Sequence, residues 1–320
     1  MTQPHTTRRP DPEPKSTEPK STEPKSTEPQ QHRPRLPGWA RALLALIAFI
    51  AHMPFVLAMM YFVTPLSEAL NSNDPLLRME AEILVWLVPL PLYLLFTFLL
   101  TRYVDRRPMR VTGLTINRRA LLGLLAGTGI SVAVIGGLTA IFLLLGIGIR
   151  APEEAWSGSA MLPVWFMVVH TIVFCYIYQG IGEEAVMRGY LLQSLSDHPK
   201  RAVWISAIVF TIPHLISSGG QQNALDHILY LATPFGFALA AAYLALRMRS
   251  AWAAVGIHGG SHLGDKLIGF MGVGLPENRL TWIATGLAFC TIAALLASRI
   301  SKQRWTEVAA RGPYALPDGH

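Results

Sequence analysis

The sequence predicts an all-α polytopic membrane protein with about eight transmembrane helices. Three observations lead there. Of 320 residues, 51% are hydrophobic and only 15% charged, with mean hydropathy +0.35; soluble domains carry about a quarter charged residues. The apolar residues gather in runs that can cross a ~30 Å hydrocarbon core, which takes about 20 helical residues each. Finally, basic residues concentrate on every second loop between those runs.

The chain begins with a polar tract, 1–36, in which Glu13-Pro-Lys-Ser-Thr17 recurs from Glu18 and Glu23 and starts again at Glu28. Proline every fifth residue blocks a helix and Met1 and Leu36 are too few apolar side chains to build a core, so this stretch reads as a disordered, extended, cytoplasmic tail. A long polar tract precedes the first apolar run, which does not read as a signal peptide. The expected spans are Trp39–Val63, Ala81–Thr101, Leu121–Ile147, Met161–Gly182, Ala202–Ile216, Ile228–Leu246, Trp252–Met271 and Leu280–Ser298. They divide into N-terminal helices over 37–160, a central group over 161–272, and a last helix with a tail over 273–320.

The net charge of +7 lies mostly in short loops. Arg33 and Arg35 precede the first run, and Arg41 lies at its very start. Arg102, Arg106, Arg107, Arg110, Arg118 and Arg119 follow the second, Lys200 and Arg201 the fourth, Arg247 and Arg249 the sixth, and Arg299, Lys302 and Arg304 the last. The intervening loops are poor in basic residues, so the positive-inside rule puts both termini in the cytoplasm. The lipid bilayer accounts for this charge better than nucleic acid, which is not an expected partner. Cys175 and Cys290 both lie in apolar runs and offer neither a disulfide framework nor a CxxC metal site. A multi-pass protein of a cell membrane, bacterial in type, is expected.

Three polar clusters interrupt the central runs. Glu183, Glu184 and Arg188 follow the apolar stretch 162–178. An ionised side chain at membrane depth costs roughly 2.5–3.5 kcal/mol on insertion scales, so a cluster of them marks a functional site by default. Residues four apart share a helix face, and Glu184 can pair with Arg188 in the favourable acid-first order. Glu183 is turned about 100° away and stays free to serve as a general base. A solvated helix end is the plainer reading. Its weakness is that the apolar pattern continues through Tyr190, Leu191 and Leu192, while Gly180, Gly182 and Gly189 allow close helix approach.

His214 follows Pro213, which is expected to kink its span and free a backbone carbonyl. Alone it reads as a structural, hydrogen-bonded histidine. His258 and His262 lie on one helix face at i, i+4, the spacing of two zinc ligands in HExxH proteins, although the glutamate of that motif is absent. An interhelical hydrogen-bonded pair is the plainer alternative. His52, His170 and His227 lack such company and read as structural.

EExxxR at Glu183–Arg188, FxxxH at Phe210–His214 and HxxxH at His258–His262, in that order, resemble the three motifs of the CPBP (ABI) family of intramembrane proteases, similar to type II CAAX prenyl endopeptidases. The resemblance covers roughly residues 161–272. It implies an all-helical core with a peptidase site inside the bilayer. Glu183 and His214 would activate the attacking water, Glu184 and Arg188 would hold the first motif, and His258 with position 262 would stabilise the oxyanion. Position 262 departs from the family, which carries Asn or Asp there. A histidine can still donate to an oxyanion, but it also makes metal ligation easier to envisage. Zinc held by His214, His258 and His262 and a metal-independent glutamate mechanism both stay open.

The expected function is an intramembrane endopeptidase that hydrolyses a peptide bond of a membrane-associated, prenyl or leader peptide, or of a membrane protein, with an activated water. Two other classes compete. One is a non-catalytic scaffold or immunity-type protein using the same cluster to bind a partner. The other is a transporter with an intramembrane ion pair, which the spans disfavour because they show no clear internal repeat.

Overall fold

The computed structural model describes residues 34–150 and 162–316. The N-terminal repeat and the loop with Glu153 and Glu154 therefore lie outside the described residues. Polar residues set where the helices begin. Asn117, Asn223 and Asn278 have extended backbones, and each side-chain oxygen accepts the N–H three residues on, from Ala120, Asp226 and Thr281 respectively. This satisfies a donor that the helix itself leaves open. Asp74 and Ser301 cap two further helices, their side-chain oxygens accepting from the N–H of Leu76 and Arg304.

In chain order the helices are α1 (Gly38–Ile50), α2 (Met53–Phe62), α3 (Thr64–Leu70), α4 (Pro75–Leu87), α5 (Pro89–Leu99), α6 (Arg118–Leu144), α7 (Val164–Ile172), α8 (Gly182–Glu184), α9 (Pro199–Thr211), α10 (Ala224–Tyr230), α11 (Ala232–Met248), α12 (Trp252–Phe270), α13 (Arg279–Ser298) and α14 (Lys302–Arg311). The all-α expectation holds. The described strands are one short antiparallel pair, β1 (Ile149–Arg150) on β2 (Val273–Gly274).

Among the described residues, six helical stretches are long and apolar enough to cross a membrane: Gly38–Phe62, Pro75–Val104, Arg118–Leu144, Val164–Leu192, Ala224–Met248 and Arg279–Ser298. The protein is therefore a multi-pass membrane protein, but two of the eight expected spans do not qualify. The fifth, α9, has 13 residues and stops at Thr211, ahead of Pro213. The seventh, α12, has 19 residues, yet His258, His262, Asp265 and Lys266 dilute its apolar character.

A second difference concerns the fourth span. The expected span ends at Gly182, whereas the helix continues through Tyr190 and Leu191 to Leu192 and keeps Glu183, Glu184 and Arg188 inside it. Neutralisation of Glu184 by Arg188 within the helix removes the reason to leave the apolar phase.

The core forms where small residues let backbones meet. α12 packs along α6, with further contacts to residues 173–181 and to α11; α11 packs on α13 and α9. At the α6–α12 crossing, a Cβ on Gly127 would overlap the Ala253 carbonyl and one on Gly256 the Leu124 carbonyl. Ser131 donates to the Ile257 carbonyl at 2.7 Å across the same contact. Close backbone approach with polar bridges is how helices associate where no hydrophobic force acts between them.

Candidate active site

The fourth span carries the acidic pair on an irregular stretch. Val173–Ile181 and Ala185–Leu192 are wound as wide π-type turns on either side of the three-residue α8. Such turns are costly and recur at functional sites. Gly182 fixes the local position, because a Cβ there would overlap the ring of the buried Tyr93.

Glu184 and Arg188 are both fully buried, and Arg188 Nη1 donates to Glu184 Oε1 at 3.0 Å. Arg188 Nη2 donates to the Ala238 carbonyl at 2.8 Å, and the guanidinium lies over the Phe210 ring, 4.9 Å from its centroid. From the far end of the chain, Tyr314 Oη donates to the Arg188 carbonyl at 2.8 Å. Thus the arginine is held by an anion, a carbonyl and an aromatic face, which compensates its removal from water.

The same Glu184 oxygen receives Nδ1 of His258, at 3.1 Å. A carboxylate only accepts, so Nδ1 carries the proton, the tautomer is set, and a neutral ring presents its lone pair at Nε2. Phe237 and Phe210 flank the ring, at centroid distances of 4.9 and 5.5 Å. His258 Nε2 lies 4.0 Å from Oε2 of Glu183. That oxygen is buried and has no hydrogen-bond partner.

His214 obtains its orientation from the helix break that Pro213 imposes. α9 gives way to a tighter turn over Ile212–Ile216, and His214 Nδ1 donates to the Phe210 carbonyl at 2.9 Å. Its Nε2 is likewise the lone-pair side of a neutral ring. His262 stands one turn beyond His258, ring centroids 5.4 Å apart, and 5.5 Å from the ring of Phe174. His214, His258 and His262 all line one cavity of about 650 Å³, together with Gln179, Tyr230 and Asp265.

The structure therefore brings together Glu183, Glu184, Arg188 and His258, and sets His214 and His262 on the wall of the adjoining cavity. Among the described residues, Glu183 lies close to His258 and makes no hydrogen bond or ion pair with His214. Nor do three His, Cys, Asp or Glu side chains among the described residues form a ready-made set for a metal ion. No step is routed through a metal on this geometry. Of the histidines read as structural, His170 binds Glu82 at 2.8 Å and His52 binds the Phe49 carbonyl at 2.9 Å.

Sequence reasoning missed Tyr93, the Ala238 carbonyl, Phe237 and Tyr314. Phe210 was visible as part of FxxxH, but its place under Arg188 was not. Tyr314 sits in the tail beyond the last span and carried no signal beyond being an aromatic residue in a polar segment.

Fold and site together define a helical membrane protein with a carboxylate–histidine centre enclosed in its bundle. Residues 163–264 match a family model described as Rce1-like, type II CAAX prenyl endopeptidase Rce1-like, and this segment contains all seven motif residues. No curated protein matches the chain. Over these residues the chain is similar to the CAAX protease family.

Proposed function

We propose that the protein is an intramembrane endopeptidase that cleaves a membrane-associated peptide, with prenyl or leader peptides and membrane proteins as candidate substrates. One observation carries the reading. Glu183 Oε2 is buried, lacks a partner, and faces the lone-pair nitrogen of His258 at 4.0 Å beside the histidine-lined cavity. A gap of that length between two polar atoms is one a water can bridge.

Glu183 takes a proton from this water as it attacks the scissile carbonyl, and returns it to the leaving amine. His258 Nε2 holds the water's other hydrogen, with Glu184 fixing the ring through Nδ1 and Arg188 fixing Glu184. His214 Nε2 assists from the cavity wall. Because Nδ1 is the donor in both His214 and His258, their neutral rings have no N–H left for an oxyanion. His262 makes no hydrogen bond to protein among the described residues, so it can turn an N–H into the cavity. The oxyanion role therefore falls to His262.

One observation also favours a zinc-dependent form of this hydrolysis. Binding of Nδ1 to a carboxylate or carbonyl, as in His258 and His214, is the outer contact that metal-ligating histidines use. His214, His258 and His262 would hold the ion, which would supply Lewis-acid activation of the water. The positive-inside pattern of the basic loops supports a reading with both termini in the cytoplasm, in a cell membrane of bacterial type.

The test uses detergent-purified protein with a quenched peptide library. Glu183→Gln should abolish cleavage and leave the fold intact, while His262→Ala should lower kcat about 10²–10³-fold, the usual cost of an oxyanion donor. His262→Asn should retain most activity. Undiminished cleavage by Glu183→Gln would overturn the assignment. Loss of activity with a chelator, restored by zinc, selects the metal form. Binding of a partner without any cleavage product selects the scaffold.

A further inference from the structure

A second cavity, of about 460 Å³, opens at the end of the bundle that carries the basic loops. Its wall includes Arg110, Arg119, Arg249 and Arg311, together with Asn117 and Tyr314, and among the described residues no Asp or Glu. The site is built from three chain regions that meet there. Gly113, in the left-handed conformation at φ 71, lets the Tyr314 ring lie flat against it. The Ala251 N–H donates to the Gly113 carbonyl at 3.1 Å, and Trp252 Nε1 to that of Leu114 at 3.0 Å. Arg249 is turned inward by Glu307 and by the Ala315 carbonyl. Arg119 Nη1 is withdrawn from solvent and has no acceptor. A buried guanidinium donor without an acceptor is unfavourable, and an anion in the cavity supplies one.

We propose that this cavity binds a phosphate-bearing anion. Guanidinium groups match phosphate oxygens in charge and in forked geometry. The position favours a lipid headgroup. Asn117 caps the span Arg118–Leu144, and exposed Ile116 and Leu121 beside it offer an apolar surface for acyl chains. Basic pockets between membrane helices are known to take anionic headgroups. A soluble phosphate compound shares the recognition chemistry and is separated by experiment.

The full chain, delipidated in a neutral detergent, is titrated with dioleoylphosphatidylglycerol, with dioleoylphosphatidylcholine, and with inorganic phosphate, following thermal stability and retained mass. Phosphatidylglycerol should bind and stabilise while phosphatidylcholine does not. An Arg110→Gln/Arg119→Gln variant should weaken binding about fivefold for each arginine removed. Should that variant fail to fold, protection of Arg110 and Arg119 from phenylglyoxal in the unmutated chain decides. Protection by phosphatidylglycerol but not phosphate identifies the lipid, and protection by phosphate identifies a soluble source. Equal behaviour of the two lipids with no phosphate effect, or binding unchanged in the variant, overturns the proposal.

Discussion

Removing Arg188 should be among the most damaging single changes in this protein, and removing its partner as well should largely repair the damage. Arg188→Met deletes the 3.0 Å contact to Glu184, the 2.8 Å bond to the Ala238 carbonyl and the contact with Phe210. It leaves Glu184 fully buried, with His258 as its remaining polar contact and Oε2 without a partner. Breaking a buried pair from one side costs about 3–5 kcal/mol, because an uncompensated charge remains. Each 1.36 kcal/mol is tenfold in an equilibrium, so the folded-to-unfolded ratio should fall by at least about 10²-fold. Glu184→Gln/Arg188→Met removes both charges and leaves the Ala238 carbonyl short of one donor. Its deficit should be about 1–2 kcal/mol, roughly 2–3 kcal/mol less than that of Arg188→Met alone, and a double-mutant cycle with Glu184→Gln reads the coupling. Sodium dodecyl sulfate titration in mixed micelles, read by circular dichroism, measures all four proteins. A deficit below about 1 kcal/mol for Arg188→Met, or a double variant no better than that single one, would refute the reasoning.

The α6–α12 crossing gives a paired test. Gly127→Ala must push against the Ala253 carbonyl and should cost at least about 2 kcal/mol, whereas Gly136, on the same helix with nothing within 4 Å of its Cβ direction, should accept alanine with no loss. Equal costs at the two positions would sink the account of that crossing. The terminal helix α14 should respond to acid. The Arg249 guanidinium, helped by Arg304, holds the Glu307 carboxyl down at about 2. An unpaired Glu titrates near ~4.3, so this contribution is complete above about pH 4.3 and disappears as pH falls toward about 2. Hydrogen exchange of α14, corrected for intrinsic rate, should accelerate across that window, and Glu307→Gln should flatten the response. Exchange that does not change with pH in the unmodified protein would show that the clamp does not hold the helix.

The helical class and the Glu184–Arg188 pair were legible because both depend on local periodicity. A run of apolar residues announces a span, and a spacing of four announces a shared face. The extent of the fourth span was not legible, since hydropathy counts Glu183, Glu184 and Arg188 as three separate charges and cannot see two of them cancel. Nor was the approach of His258 to Glu184, residues 74 apart in sequence, accessible to any local rule. The same holds for Tyr314, whose hydroxyl reaches the Arg188 carbonyl from 126 residues away. What the HxxxH spacing did reveal, two imidazoles on one face, understated the geometry. His258 is drawn by Glu184 into the carboxylate centre, while His262 stays on the cavity wall.

The two helices that fall short as spans are the two that present the site histidines, α12 directly and α9 through the turn that follows it, and the packing explains why this is tolerable. Polar and broken helices at membrane depth survive when protein, not lipid, surrounds them. α12 is enclosed by α6, residues 173–181 and α11, so that His258 is almost wholly buried. α9 packs between α11 and Ala185–Leu192 before it breaks at Pro213. The six apolar spans thus free α9 and α12 from the demand for hydrophobicity, and the polar chemistry concentrates on the elements so released. On this argument, a charge placed on the outer, exposed face of α6, as in Leu125→Lys, should impair membrane insertion, whereas the ionisable groups of α12 do not. The opposite ordering in an insertion assay would mean that α12 faces lipid.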